Sequence, residues 1–321
     1  MTGISAVSLF AGVGGFDLAL ERAGVSVAAA AEIEPDCRSV LGRHFPRTAL
    51  FPDVTKVTGD QLRAAGFDPR RGIVTAGFPC QDISVAGRRA GLAGARSGLF
   101  WHVVRLADEL RPRWLLVENS TGLLSSNSGR DMGTVVGALA DLGYGVCWRV
   151  LDAAFFGVAQ HRERVFIVGC AGDGATSVEV LLEPEGGGRD PAASGAARAG
   201  DPGRGTGSAR GHRRGGGQVT VVSTLQGGGR RGHRIDAEGA AGGQLIPMPG
   251  GGVRRFTPLE CERLQGFPDD WTRWTADGRE QSDSARYRQI GNAVAVPVAE
   301  WIGRRITAAD ATLARTLGSV A

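Results

Sequence analysis

The chain has 321 residues, 42% hydrophobic and 22% charged, with a formal net charge of +4, which suits one large domain or two unequal ones with ample core. Its five cysteines (Cys37, Cys80, Cys147, Cys170 and Cys261) are odd in number and widely spaced, with no CxxC pair, so neither a disulfide scaffold nor a zinc site is indicated. The mild basicity permits a polyanionic partner without requiring one, because Lys56 is the only lysine and the excess of arginine reads first as a compositional bias. The N-terminus lacks the basic start of a signal peptide and no run is long and apolar enough to span a membrane, so a cytoplasmic enzyme with reduced thiols is expected.

In chain order, residues 6–10 read as a strand and 16–23 as a helix. Residues 25–31 read as the next strand and 35–44 as a helix. The alternation continues with strands at 73–76 and 114–117, helices at 99–110 and 132–142, and further strands at 146–151 and 164–168. This alternation predicts an α/β fold, a mostly parallel sheet covered by helices. The character changes near residue 170. Residues 186–217 hold twelve glycines and few large apolar side chains, so no core can form there and a mobile loop is expected. A short strand-like run follows at 218–222, then a second Gly/Arg stretch at 227–234, and patterning returns near Phe256 to close with an amphipathic helix over 294–306. The predicted organisation is a body of residues 1–170 completed by 285–321. A smaller irregular unit spans 171–284, with its Gly/Arg-rich segment at 183–217.

Several stretches carry candidate chemistry. Ser8 to Leu20 runs from a strand through a glycine turn into a helix, the arrangement used to bind nucleotides. Asp17 stands where the dinucleotide fingerprint GxGxxG needs its third glycine. A pyrophosphate cradle is therefore disfavoured, while a nucleoside such as S-adenosylmethionine, or a merely structural turn, remains open. Glu32, at the end of the second strand, is placed to accept ribose hydroxyls or to cap the helix that Pro35 begins, and Ile33 beside it could cover an adenine face. Cys80, in GFPCQ, is either a small core hydrophobe or a nucleophile at a strand end. Glu118 and Asn119 stand where an apolar strand stops, on the edge where parallel sheets place ligands; an N-cap at Asn119 or Ser120 is the plain alternative. Gln160, Arg162 and Arg164 share one face of an extended chain and suit either an oxyanion or a solvated edge. Gly291-Asn292 are expected to open the last helix.

Taken in order, the segments FAGVGGF, AEIEP, PDV, GFPCQ, GLF, ENS, QHRERVFIVG, RRFTPLECERLQGFPDDW and RQIGNAVAVPV resemble the DNA cytosine-5 methyltransferases of bacteria and phages. The resemblance covers nearly the whole chain except about 170–253. It implies a Rossmann-like S-adenosylmethionine-dependent methyltransferase sheet with helices on both faces and a small target-recognition domain. It implies a catalytic Cys80 that adds to cytosine carbon 6, with Glu118 on the ring nitrogen and amino group and Arg162 on the carbonyl oxygen, supported by Gln160 and Arg164. Cofactor contacts carry over to Phe10, Ala11, Gly12, Val13, Gly14, Gly15, Glu32, Ile33, Asp53, Val54, Pro79, Leu99, Asn292 and Val294. Position 33 is often a larger aromatic in such enzymes, and ENS replaces the commoner ENV. The implied partner is double-stranded DNA, contacted by Gln81, Arg88 and Arg89 near the flipped base and by Arg213, Arg214, Arg230, Arg231 and Arg234 in the inserted region. A cognate restriction endonuclease is a possible functional partner. No metal is implied, and a monomer is expected. The alternatives are an RNA (tRNA) cytosine-5 methyltransferase of the same fold, a nicotinamide-dependent oxidoreductase, and a catalytically silent DNA-binding relative.

Overall fold

The computed structural model describes residues 3–79, 98–182, 245–247 and 253–318. Seven strands form one sheet: β1 (Ser5–Leu9), β2 (Ser26–Ala31), β3 (Ala49–Phe51), β4 (Gly72–Ala76), β5 (Trp114–Ser120), β6 (Tyr144–Asp152) and β7 (Glu163–Ala171). Their order across the sheet is β3-β2-β1-β4-β5-β7-β6. The first five pair in parallel, while β7 runs antiparallel to both β5 and β6. Strands β1 and β4 are buried along their whole length, which is why they read as unbroken apolar runs.

Successive residues on each strand face opposite layers. Ala6, Ile73, Leu116 and Phe166 enter one core with α1 (Gly15–Arg22) and Val298, Ile302 and Ile306 of the last helix. Val7, Val74, Leu115 and Ile167 enter the other. That second layer is closed by α4 (Phe100–Leu110) and α6 (Arg130–Asp141); α2 (Pro35–His44) and α3 (Gly59–Ala64) precede α4 in the chain, and α5 (Gly122–Ser125) lies between α4 and α6. Helix α4 buries Phe100, Val103, Val104, Ala107 and Leu110, the spacing of one helical face. Pro35 at the start of α2 and the capping box of Thr58 and Gln61 at α3 fix two of the helix starts.

Helix α7 (Gly174–Leu181) packs on β6, β7 and the last helix. A two-stranded ribbon of β8 (Leu245–Pro247) and β9 (Val253–Arg255) then leads into α8 (Pro258–Leu264), which starts at a capping box of Thr257 and Glu260. The last pattern in the sequence is two helices, α9 (Asp283–Asn292) and α10 (Val296–Gly318). Gly291 and Asn292 therefore close α9 and do not open the final helix, because Ala293 is extended (φ −70, ψ 151) and breaks the run. No helix among the described residues is long and apolar enough to cross a membrane.

Candidate active site

The glycine turn leaves β1 with Phe10 and Gly12 at positive φ (58 and 56) and reaches α1 through Gly14 (φ 86). The turn fits only with glycine at two further contacts. A β-carbon on Gly14 would lie 2.6 Å from Phe45 Cε2, and one on Gly15 would lie 2.8 Å from Val294 Cγ1. Ala11 and Val13 are buried beneath the turn, whereas Gly12 has open space where a β-carbon would project. The Gly12 amide donates to Glu32 Oε2 at 2.7 Å and the Gly14 amide to Ala11 O at 2.9 Å. With those N–H groups already committed and the acids Glu32 and Asp17 close by, a diphosphate finds no cradle, which disfavours the oxidoreductase alternative.

The same groups fit an adenosyl moiety. Glu32 Oε1 accepts from the Glu34 amide at 2.8 Å, so Glu32 both ties the turn to the start of α2 and keeps lone pairs for ribose hydroxyls. It does not act as the N-cap, which is Glu34. Arg38 holds this bend by donating to the carbonyls of Glu32 (2.8 Å) and Ile33 (2.6 Å). Ile33 is 69% exposed, an apolar face beside the carboxylate where an adenine ring can lie. Asp53 accepts from the Thr55 hydroxyl at 2.7 Å and the Thr55 amide at 3.0 Å, and these bonds hold its carboxyl below the usual range. Val54 is buried, Leu99 is half-buried just before α4, Pro79 and Asn292 are exposed, and Val294 walls the turn at Gly15.

Three strand ends along the same edge gather the polar groups. Glu118 on β5 lies opposite Phe166 of β7, and Arg164 Nε approaches Glu118 Oε1 to 3.1 Å. Glu118 also leans over the end of β4, since a β-carbon on Gly77 would lie 3.5 Å from its Oε2. Burial pushes the Glu118 carboxyl up, against the opposing pull of Arg162 and Arg164. Arg162 is itself buried and donates through Nη2 to Ala293 O (2.8 Å) and Gly291 O (3.2 Å), which joins the strand to the α9–α10 junction. Burial, then repulsion from Arg164, lowers its pKa to about 9, so it remains a cation at neutral pH. Gln160 is fully buried, and neither atom of its amide finds a hydrogen-bond partner among the described residues. The shared face expected for Gln160, Arg162 and Arg164 is thus turned inward and is not a solvated edge.

Two contributions were not visible in the sequence, the role of Asn119 and the residue Asp152. Asn119 lies inside β5 and caps no helix. Its Nδ2 donates to Phe78 O at 3.0 Å, which tethers the segment Gly77–Pro79 to the strand carrying Glu118. Asp152 Oδ1 accepts from the Arg162 amide at 2.9 Å, and its Oδ2 meets His161 Nδ1 at 2.7 Å, so one carboxylate sets the turn into β7. Cys80, Gln81, Arg88 and Arg89, the Gly/Arg-rich segment at 183–217, the run at 218–222, and Arg213, Arg214, Arg230, Arg231 and Arg234 lie outside the described residues.

The family model for C-5 cytosine-specific DNA methylase matches residues 4–185 and 200–308. The chain is 32% identical over 314 residues to the type II methyltransferase M2.BsuMI of Bacillus subtilis, covering 94% of this chain and 75% of that one. It is 33% identical over 333 residues to the type II methyltransferase M.NaeI of Lentzea aerocolonigenes, covering 96% and 76%. Among solved structures, the S. pombe Dnmt2 methyltransferase superposes with a TM-score of 0.62 at 17% identity, over 96% of this chain and 99% of that one, a likeness of fold. With the glycine turn, the carboxylate at its rim and the Glu118–arginine edge in place, the chain belongs to the C-5 cytosine-specific DNA methylase family, enzymes that transfer a methyl group from S-adenosylmethionine to cytosine in DNA.

Proposed function

We propose that Cys80 is the nucleophile of this reaction and that Glu118, Arg162 and Arg164 hold the target ring. The observation that carries this reading is the single cluster formed by a largely buried Glu118, its Arg164 partner at 3.1 Å, and the Asn119 tether to Phe78, two residues before Cys80. The target atom is stacked inside a duplex, so the cytosine must first be extruded. The Cys80 sulfur bonds to ring carbon 6, and the electron pair of the 5,6 double bond shifts to make carbon 5 nucleophilic. Negative charge then builds on ring nitrogen 3 and on the carbonyl oxygen. Glu118, whose carboxyl is biased by burial toward its protonated form, donates to nitrogen 3. The guanidinium groups of Arg162 and Arg164 stabilise the carbonyl oxygen. S-adenosylmethionine, held by Glu32 and the glycine turn, supplies an electrophilic methyl. Carbon 5 takes that methyl as the methyl–sulfonium bond breaks and the thioether S-adenosylhomocysteine is released. The carbon 5 proton then passes to water, the electrons of the broken carbon–hydrogen bond re-form the 5,6 double bond and expel Cys80 as thiolate, and nitrogen 3 returns its proton to Glu118.

We also propose that the stretch between α7 and β9 carries target choice, and that the modification protects DNA within a restriction–modification system. The second reading is supported by the type II names of the relatives. Incubation of duplex DNA with the protein and S-adenosylmethionine, followed by bisulfite sequencing, tests both substrate and site. Protected cytosines in one short sequence context are expected with the wild type and none with Cys80→Ala. Equal protection by both proteins refutes the assigned nucleophile.

A further inference from the structure

One side chain from the distant end of the chain closes directly on the glycine turn. The Trp271 indole Nε1–H donates to Val13 O at 2.8 Å, across 258 positions of sequence. The ring is buried in a cage of aromatic groups from two modules. It stacks on His44 of α2 (centroids 3.6 Å apart, 5° between planes), and it meets Phe45 edge-on at 5.9 Å and Phe267 at 5.6 Å. His44 Nε2–H donates to the Trp271 carbonyl at 2.8 Å, and burial keeps that imidazole below its usual pKa and so neutral. The next residue, Thr272, is pinned through both its amide (2.9 Å) and its hydroxyl (2.5 Å) to Glu262 of α8, which in turn pairs with Arg286 of α9 at 3.0 Å. The indole is therefore held from behind by a buried polar network and presented to the turn from the front. Phe45 also stands where a β-carbon on Gly14 would fall (2.6 Å), and Phe267 packs 3.4 Å from the place of one on Gly15. The turn is clamped between α2 and the segment after α8, and Val13 O is its one carbonyl tied across this junction by a side chain among the described residues.

We propose that Trp271 is a positioning residue for the cofactor turn: its indole N–H fixes Val13 and thereby the conformation of Gly12 to Gly15 that receives S-adenosylmethionine. This rests on the assignment of the turn as the cofactor site. The mechanism is preorganisation. A turn with two left-handed glycines has many alternative conformations, and a fixed carbonyl removes some of them before the ligand arrives. It also makes the segment that follows the inserted region part of the cofactor site.

The test is Trp271→Phe in the full-length protein, which keeps an aromatic ring while deleting the N–H donor together with the second ring that carries it. Calorimetric titration with S-adenosylmethionine is expected to give roughly two- to tenfold weaker binding, the range for loss of one hydrogen bond. DNA affinity and kcat at saturating cofactor are expected to stay within about twofold, so that KM rises for the cofactor alone. A merely structural role would weaken cofactor and DNA binding together, and that result overturns the proposal, as does unchanged cofactor affinity. Failure of the wild-type protein to bind S-adenosylmethionine would instead overturn the site assignment. His44→Ala, which strips one stacking face and leaves the donor, supplies an independent arm should Trp271→Phe not fold. A smaller loss of cofactor affinity with DNA affinity retained is expected, and wild-type cofactor affinity overturns the proposal.

Discussion

Asp17 stands where a dinucleotide-binding turn would have glycine, and its burial makes a quantitative demand on the protein's pH dependence. Its Oδ2 accepts from Ser8 Oγ at 3.0 Å, its Oδ1 has no partner among the described residues, and the residue is fully buried. Desolvation is the largest influence and raises the carboxyl from 3.8 to about 7, with Ser8 opposing. Below pH 4 the group is protonated in both folded and unfolded chains and has no differential effect. From there to pH 7 the unfolded chain releases the proton while the folded chain retains it, so the folded state loses relative stability as pH rises. Above 7 the penalty is constant. At 1.36 kcal/mol per pKa unit, the part of this penalty that develops between pH 5 and pH 8 is about 2–3 kcal/mol. Asp17→Asn cannot titrate. Any fixed cost of an unpartnered buried amide N–H enters equally at both pH values and cancels in the comparison. Urea unfolding of wild type and variant without ligand, at pH 5 and pH 8, is the assay. The stability difference is expected to move by about 2–3 kcal/mol in the variant's favour at the higher pH. A difference that stays constant across the two pH values means Asp17 is ionised in the folded protein, and the reasoning from burial fails.

Three further outcomes follow from the site geometry. Asn119→Ala frees Phe78 O and loosens the segment leading to Cys80. The single-turnover methylation rate should fall roughly 10- to 100-fold, with DNA and cofactor dissociation constants within about twofold in equilibrium titrations. Glu118→Gln preserves a hydrogen-bonding amide but removes the acidic proton, so kcat should fall by roughly 10²- to 10⁴-fold in a methyl-transfer assay under saturating conditions, and a rate near wild type would remove Glu118 from proton transfer. Glu32→Ala releases both the Gly12 and Glu34 amides, and calorimetry should show cofactor binding weakened roughly 10-fold or more while DNA binding holds.

The inner strands were legible because they are buried on both faces and therefore appear as short apolar runs, such as Ile73-Val74-Thr75-Ala76, whereas the half-buried edge strand β3 was not read. The direction of β7 was not legible, since its alternation is the same whether it runs with β5 or against it; only the register, running from Trp114 opposite Cys170 to Ser120 opposite Arg164, decides that. The break between α9 and α10 was misplaced for a local reason: the extended Ala293 sits inside an otherwise continuous apolar run. Glu32, Glu118 and Arg162 were readable as candidate site residues because acids and arginines at the ends of apolar strands are conspicuous. Asn119 was marked at that edge but its tether to Phe78 was not legible, nor were Asp152 and Trp271, because each acts through a backbone group that the sequence does not mark. The acceptor for Asn119 is 41 positions away and that for Trp271 is 258. Gln160 was placed on the correct face, but its complete burial depended on packing that no local pattern encodes.

The central claim is a transient sulfur–carbon bond between residue 80 and the target base. Duplex DNA with 5-fluorocytosine at the methylated position blocks loss of the carbon 5 substituent and so should trap that bond. With S-adenosylmethionine present, the wild-type protein is expected to give a denaturant-resistant protein–DNA band whose cross-linked peptide contains Cys80, and Cys80→Ser is expected to give none. Methylation of ordinary duplex DNA by a wild-type protein that forms no such band, or a band that persists in Cys80→Ser, contradicts the account.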